Sequence, residues 1–384
     1  MKILHAIQGT DPTRGGPIEG IVQIGLATQG VHEHHIVSLD SPHAPHLQSI
    51  PMPVTALGPG SVLGYSAALV PWLENNLKRF DLVVIHGLWR YISFGSWRAL
   101  RDSSTPYLVM PHGMLDPWFK QRYPFKHAKK WMFWPWTEYR VLRDAKAVVF
   151  TCDEERRLAR ESFWLYRCNE RVGTVGISGP SSDLSLAREH FFRDYPLLRG
   201  KRILLFLGRI HEKKGCDLLI QAFAEMAARD SDLHLVMAGP CHDGLGAKLK
   251  ALAANHGRSH RVTWPGMLTG ELKWGAFAAS EAFILPSHQE NFGIAVAEAL
   301  SCGLPVVISN KVQIWREIDQ DQAGIVGDDT LEGTKESLAR WLGLDRDKRA
   351  GMSRRARRCY ESRFDSRCYA QTMSRIYEEA VAPA

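Results

Sequence analysis

The sequence predicts an α/β protein of two domains, each built on a parallel sheet. Three observations carry this. Short apolar, β-branched runs alternate with helix-length segments almost throughout, which is the pattern of βαβ units. The 384 residues exceed the size at which one hydrophobic core usually stops growing. A polar stretch, Ser178-Gly179-Pro180-Ser181-Ser182-Asp183, with irregular sequence on to Gly200, divides the chain near its middle. The domains are therefore expected at 1–180 and 181–360, with a helical C-terminal segment at 361–384.

In chain order, strands are expected at Lys2–Ile7, Glu33–Leu39, Asp81–Gly87, Pro106–Met110, Ala145–Thr151 and Gly173–Ile177. In the second half they are expected at Arg202–Gly208, Leu233–Gly239, Arg261–Gly266, Glu281–Pro286 and Pro305–Ser309. Each is short and apolar enough to be buried on both faces, as parallel strands are. The end of the chain, Arg354 to Ala380, is rich in arginine and aromatics and reads as helical.

Hydrophobic content of 45% and charged content of 23% are those of a globular protein. The seven cysteines are scattered and form no Cys-x-x-Cys pair, which fits a reducing cytosol better than a disulfide scaffold. No apolar run approaches transmembrane length, so the expectation is a cytoplasmic protein, at most peripheral at the inner face of the membrane. A net charge of +7 favours anionic partners without choosing among nucleotide sugars, phospholipid and nucleic acid.

The richest stretch is Pro286-Ser287-His288-Gln289-Glu290-Asn291-Phe292-Gly293-Ile294-Ala295-Val296-Ala297-Glu298-Ala299-Leu300, followed by Ser301-Cys302-Gly303-Leu304-Pro305-Val306-Val307. A buried strand ends at Pro-Ser and a helix is expected from Phe292. Glu290 then lies in the strand-to-helix loop and Glu298 inside the helix among small apolar neighbours. A carboxylate so placed needs donors if buried, and the vicinal hydroxyls of a ribose are one partner it can hold bidentately. The amides of Phe292, Gly293 and Ile294 at the helix start suit polar or anionic ligand atoms. The alternatives are an exposed helical Glu298 and a loop Glu290 favoured by the helix dipole.

Glu290-x7-Glu298 within Pro-Ser-x-x-Glu-x-Phe-Gly, with Glu-Ala-x-x-x-Gly-x-Pro-Val-Val after it, closely resembles the signature of family 4 of the retaining nucleotide-sugar glycosyltransferases. The resemblance implies the GT-B fold: two Rossmann-like domains facing a central cleft, with the last helix crossing back to the first domain. It further implies an acceptor-binding first domain and a donor-binding second domain. Glu298 would hold the ribose, while Glu290, Asn291 and the amides of Phe292 to Ile294 would orient the donor sugar.

Four further stretches match that family. Gly208-Arg209-Ile210-His211-Glu212-Lys213-Lys214-Gly215 follows a buried strand, and two cations there can clamp a diphosphate, arginine bidentately and lysine as a point charge. Gly15-Gly16, in the loop after the first strand, matches a Gly-Gly loop near the donor phosphates; it is not the G-x-G-x-x-G of nicotinamide-binding proteins. Pro111-His112-Gly113-Met114 looks like the family motif whose histidine contacts the donor sugar. His86 also ends an expected strand, where ligands bind in open sheets, but is read as a satisfied structural residue. Val262 to Met267 resembles the loop whose backbone meets the nucleobase. One departure is Val175-Gly176-Ile177-Ser178-Gly179, where many relatives have Pro-Asn-Gly. The site residues expected are thus catalytic His112, Glu290, Arg209 and Lys214, and donor-binding Gly15, Gly16, Met267, Asn291, Phe292, Gly293, Ile294 and Glu298.

No metal or other cofactor is expected. Asp230-Ser231-Asp232 and Asp345-Arg346-Asp347 look like the D-x-D metal motif of the other major glycosyltransferase fold, but they lie away from strand carboxyl ends and read as turn or cap acids. Residues 118–146 mix lysine and arginine with large aromatics, which suits an anionic membrane surface. Packing of those aromatics in the core or along an acceptor groove is the alternative, and no nucleic-acid module accompanies them. The function expected is retaining, metal-independent transfer of a sugar from a nucleotide-diphosphate sugar to a glycan or polyprenyl-linked saccharide acceptor, in cell-surface polysaccharide or glycolipid assembly. The rivals are a nucleotide-sugar epimerase or hydrolase of the same fold and a catalytically silent nucleotide-sugar-binding scaffold.

Overall fold

The structure is a computed structural model that describes residues 1–11, 16–58, 64–241 and 244–382. They form two compact units: Met1–Gly176 with Ser366–Ala384, and Ile177–Asp365. Both are Rossmann-like, a parallel sheet flanked by helices.

The first sheet has seven strands: β1 (Lys2–Ile7), β2 (Glu33–Ser38), β3 (Val54–Ala56), β4 (Leu82–His86), β5 (Tyr107–Met110), β6 (Ala147–Phe150) and β7 (Glu170–Val172). Their spatial order is β3-β2-β1-β4-β5-β6-β7 and every pair is parallel. The second sheet has six: β8 (Arg202–Leu207), β9 (Leu233–Ala238), β10 (Val262–Gly266), β11 (Ala282–Leu285), β12 (Val306–Ser309) and β13 (Gly324–Gly327), in the order β10-β9-β8-β11-β12-β13, also parallel. Each sheet reverses its direction of winding once, between β1 and β4 and between β8 and β11. Crevices at the carboxyl ends of strands flanking such a reversal are where open α/β sheets bind ligands.

The central strands match the apolar runs because burial on both faces demands them. The differences fall at the edges. Gly173–Ile177 is not a strand; β7 lies just before it, over Glu170–Val172, and Ile177 makes only an isolated bridge to Asp365. Neither β3 nor β13 was expected. An edge strand has one neighbour and one open side, so it need not carry a continuous apolar run to read.

The stretch expected to be irregular before Gly200 contains a helix, Leu184–Asp194. Asp183 caps it, accepting from the Ser185 amide at 2.7 Å, and Ala187, Phe191 and Phe192 form its buried face. The C-terminal helical stretch is likewise interrupted. A helix over Arg346–Cys359 runs into a π turn at Tyr360–Phe364, and a new helix spans Ser366–Val381. The break is fixed by tertiary contacts: the Tyr360 hydroxyl donates to the Ile177 carbonyl at 2.9 Å, and Phe364 is fully buried. The last helix belongs to the first unit. Its Tyr369, Met373, Ile376 and Tyr377 pack with Ile3, Leu82, Val84, Leu108 and Val149 on one face of the first sheet.

Candidate active site

In the second unit the two loops beside the winding reversal carry the expected residues. After β8, the chain turns through Arg209 and a short 3-10 segment, Glu212–Lys214, into the helix Cys216–Met226. Gly215 sits at φ +61°, and a Cβ there would lie 2.1 Å from the Pro286 carbonyl oxygen, so the loops after β8 and β11 touch backbone to backbone. The Lys213 carbonyl accepts from the His288 amide at 2.7 Å, and Lys213 Nζ donates to Gln289 Oε1 at 3.2 Å.

Lys214 is thereby brought against Glu290 as an ion pair, both side chains largely buried. Burial, and then the neighbouring Arg209, pull the Lys214 ammonium down to about 8. Arg209 itself is exposed. Two cations held side by side at a strand end are a ready receptor for an anionic ligand. Glu290 is pinned through its backbone, its amide donating to the Lys311 carbonyl and its carbonyl accepting from Gln313, each at 3.0 Å.

The helix expected from Phe292 begins instead at Ile294, over Ile294–Ser301. The cause is Gly293, whose φ of +81° is left-handed and cannot lie in the helix. Phe292 and Gly293 are buried; Asn291 and Ile294 are half-buried. Glu298 is inside the helix, as expected, and pairs with Lys273 of the helix Gly270–Ala279 at 2.7 Å. Met267 is 60% exposed just beyond β10.

In the first unit, Gly16 precedes the helix Pro17–Ala27, while Gly15 lies outside the described residues. His112 follows β5 in a turn with φ +51°, an unusual value for a residue with a side chain. Glu155 holds that turn: its buried carboxylate accepts from the Gly113 amide at 2.5 Å and from the Thr151 amide and hydroxyl at 2.6 and 2.7 Å. His86 is bonded through both ring nitrogens, to His5 and to His112, each at 2.9 Å.

Among the described residues no cluster of three or more His, Cys, Asp or Glu is arranged to hold a metal ion. Asp230 pairs with Arg202 at 2.5 Å, Asp232 with Lys201 at 3.0 Å, and Asp345 caps the helix after it through the Lys348 amide at 2.8 Å. The seven cysteines are free. No described helix is long and apolar enough to cross a membrane.

The segment 118–146 divides. Trp134 is fully buried and stacks on Phe163 at 4.1 Å, but Phe125, Met132, Phe133 and Trp136 are 86%, 71%, 61% and 65% exposed among exposed Lys120, Arg122, Lys126 and Lys129.

Residues 187–359 match the family described as "Glycosyl transferases group 1", and residues 24–170 match "Glycosyl transferase 4-like domain". The chain belongs to the glycosyltransferases. A D-inositol 3-phosphate glycosyltransferase of Corynebacterium jeikeium is 25% identical over 63% of this chain and 59% of its own length. The corresponding protein of Saccharomonospora viridis is 32% identical over 47% of this chain and 43% of its own. The match thus spans about half the length of these curated relatives. Anabaena HepE, solved in complex with UDP and glucose, superposes with a TM-score of 0.78 over 98% of this chain and 99% of its own, at 18% identity. At that identity the likeness speaks for the GT-B fold.

Two groups of this glycosyltransferase were missed from sequence. Lys273 and Glu155 sit on helices with no motif around them, and only the fold brings them to Glu298 and His112. A third, Glu138, lies within the segment 118–146 itself, accepting from Ser93 Oγ and the Trp89 amide, each at 3.0 Å. Burial raises its carboxyl to about 7, against those two hydrogen bonds and the nearby Lys130. The folded state therefore keeps a proton that the unfolded state loses near 4.5, so this group lowers stability as pH rises from about 4.5 to 7, by about 3 kcal/mol at most. Glu138→Gln is expected to gain stability relative to the parent between pH 5 and pH 7. Urea unfolding of both proteins at the two values checks this, and an unchanged difference refutes it.

Proposed function

We propose that this glycosyltransferase moves a sugar from a nucleoside-diphosphate sugar to a glycan or polyprenyl-linked saccharide acceptor, with retention and without a metal ion. The observation that carries the reading is the largely buried Lys214 beside Arg209, paired with Glu290 at the winding reversal of the second sheet. As the glycosidic bond breaks, charge builds on the departing diphosphate, and fixed cations there act where that charge develops. A diphosphate that takes over Lys214 releases Glu290 to accept hydrogen bonds from the sugar hydroxyls. Glu298, now paired with Lys273, holds the ribose diol. Asn291 and the amides around Gly293 orient the sugar, and Gly15 and Gly16 approach the phosphates. Met267 marks the base-contacting loop, and His112 contacts the donor sugar. The sequence offers no obvious covalent nucleophile, so the expected route is attack by the acceptor hydroxyl from the face the diphosphate leaves.

The UDP and glucose complex of HepE supports a nucleotide-activated donor, and the names of the curated relatives support sugar transfer. The exposed Phe125, Met132, Phe133 and Trp136 among lysines and arginines support peripheral contact with an anionic membrane at the cytoplasmic face, and with it a lipid-linked acceptor in polysaccharide or glycolipid assembly.

Thermal unfolding with UDP, GDP, ADP, CMP and dTDP in chelator is the direct test. One nucleotide is expected to raise the midpoint, by a stabilisation of about 2.7 kcal/mol at a hundredfold excess over Kd, and Glu298→Ala to abolish the shift. No shift with any nucleotide would favour the silent scaffold. The anomeric configuration of the product, read by NMR, tests retention, and co-sedimentation with anionic vesicles tests the membrane contact.

A further inference from the structure

Four imidazoles form one hydrogen-bonded file across the first sheet. His112 Nε2 meets His86 Nδ1 at 2.9 Å, His86 Nε2 meets His5 Nδ1 at 2.9 Å, His5 Nε2 meets His34 Nδ1 at 2.8 Å, and His34 Nε2 meets Thr28 Oγ1 at 2.8 Å. The file passes from the loop after β5 through the neighbouring strands β4, β1 and β2, and ends just past the helix Pro17–Ala27.

Its direction is fixed at the Thr28 end. Thr28 Oγ1 also lies 2.6 Å from the Ile24 carbonyl oxygen, which can only accept. The hydroxyl proton goes there, because two oxygens that close without a proton between them repel. Thr28 must then accept from His34 Nε2–H. Burial pushes all four rings down, His34 and His112 to about 4, so at neutral pH each carries one N–H. A neutral imidazole that donates through one nitrogen accepts through the other, and the assignment passes along the file. His34 Nδ1 accepts from His5 Nε2–H, His5 Nδ1 from His86 Nε2–H, and His86 Nδ1 from His112 Nε2–H. The half-buried His112 is left with the lone pair of Nδ1, which has no partner among the described residues.

We propose that Thr28, His34, His5 and His86 are positioning residues that lock His112 in the Nε2–H tautomer, so that His112 can only accept a hydrogen bond, from a hydroxyl group of the donor sugar. The second half of this rests on the reading of His112 as a donor-sugar contact; the lock does not. A histidine free in water exchanges tautomers easily and offers either a donor or an acceptor. One fixed as an acceptor matches a sugar hydroxyl and disfavours a carboxylate or a fluorine at the same place, because neither carries a proton to give.

Thr28→Val keeps the shape but removes the acceptor. His34 Nε2–H is then a buried orphan donor, which is costlier than an orphan acceptor, and the whole file gains by reversing. The histidine ring nitrogens are to be followed by two-bond 1H–15N correlation in the full chain labelled with 15N-histidine, alongside donor kinetics. The expected result is that His112 changes from the Nε2–H to the Nδ1–H pattern in Thr28→Val but not in Thr28→Ser, and that kcat/KM for the donor falls about tenfold in the valine variant alone. A His112 that stays Nε2–H in folded Thr28→Val overturns the lock. A His112 that switches while kcat/KM is unchanged leaves the lock standing and overturns the contact with the sugar.

Discussion

Lys214→Met is expected to lower kcat by about 10²–10³-fold in a protein that still folds, since on the proposed reading it removes a fixed charge from the place where the leaving group becomes anionic. It also leaves Glu290 without its partner. The pair is neither open nor sealed, its side chains 20% and 17% exposed, so breaking it costs between the roughly 0–1 kcal/mol of a surface pair and the roughly 3–5 kcal/mol of a buried one. A double variant separates the two effects. Glu290→Gln added to Lys214→Met returns the lost stability by removing the stranded carboxylate, yet leaves turnover low. If the double variant regains activity along with stability, Lys214 is structural and the diphosphate reading falls.

The same lysine sets a pH dependence. Its ammonium, held down to about 8 by burial and by Arg209, must be protonated to act, so kcat/KM is expected to fall as pH rises above about 8. The ion pair with Glu290 works against that shift and places the limb at or above this value. A bound diphosphate favours the charged form further, so the limb in kcat lies at higher pH than the limb in kcat/KM. Coincident limbs would mean that the donor does not touch Lys214.

Glu155→Gln is expected to cost about 2–4 kcal/mol, a large effect for the exchange of one oxygen for an amide nitrogen. Both carboxylate oxygens accept from backbone, Oε1 from Gly113 and Oε2 from Thr151. A glutamine must turn its NH2 toward one of those amides, where two donors face each other without an acceptor. The strain falls on the Pro111-His112-Gly113 turn, with its left-handed His112 and Gly113. Thermal unfolding should show the loss, and donor turnover should fall in parallel as His112 is released. Unfolding at the parental temperature would show that the turn holds without the carboxylate.

The residues of the loops after β8 and β11 were legible because their chemistry is local. Arg209 and Lys214 lie within one strand-to-helix loop, and Glu290 to Glu298 within another, so spacing alone fixes what each loop can offer. The central strands were legible for a related reason: burial on both faces leaves only apolar choices, as at Leu82-Val83-Val84-Ile85. What surrounds those residues was not legible. Lys273 meets Glu298, Glu155 meets the His112 turn, and Lys214 meets Glu290 only because βαβ winding returns distant segments to the same strand ends.

By itself, then, the sequence determined the alternation of strands and helices, the two-domain organisation, and which loops carry cations and carboxylates, since these follow from burial and from short-range spacing. Tertiary structure alone decided the edge strands β3, β7 and β13, the break at Phe364 and Asp365, and the file of His112, His86, His5 and His34. An edge strand, a helix break and a hydrogen-bonded file are each held by partners far away in the chain, and no local pattern of residue types records who those partners are.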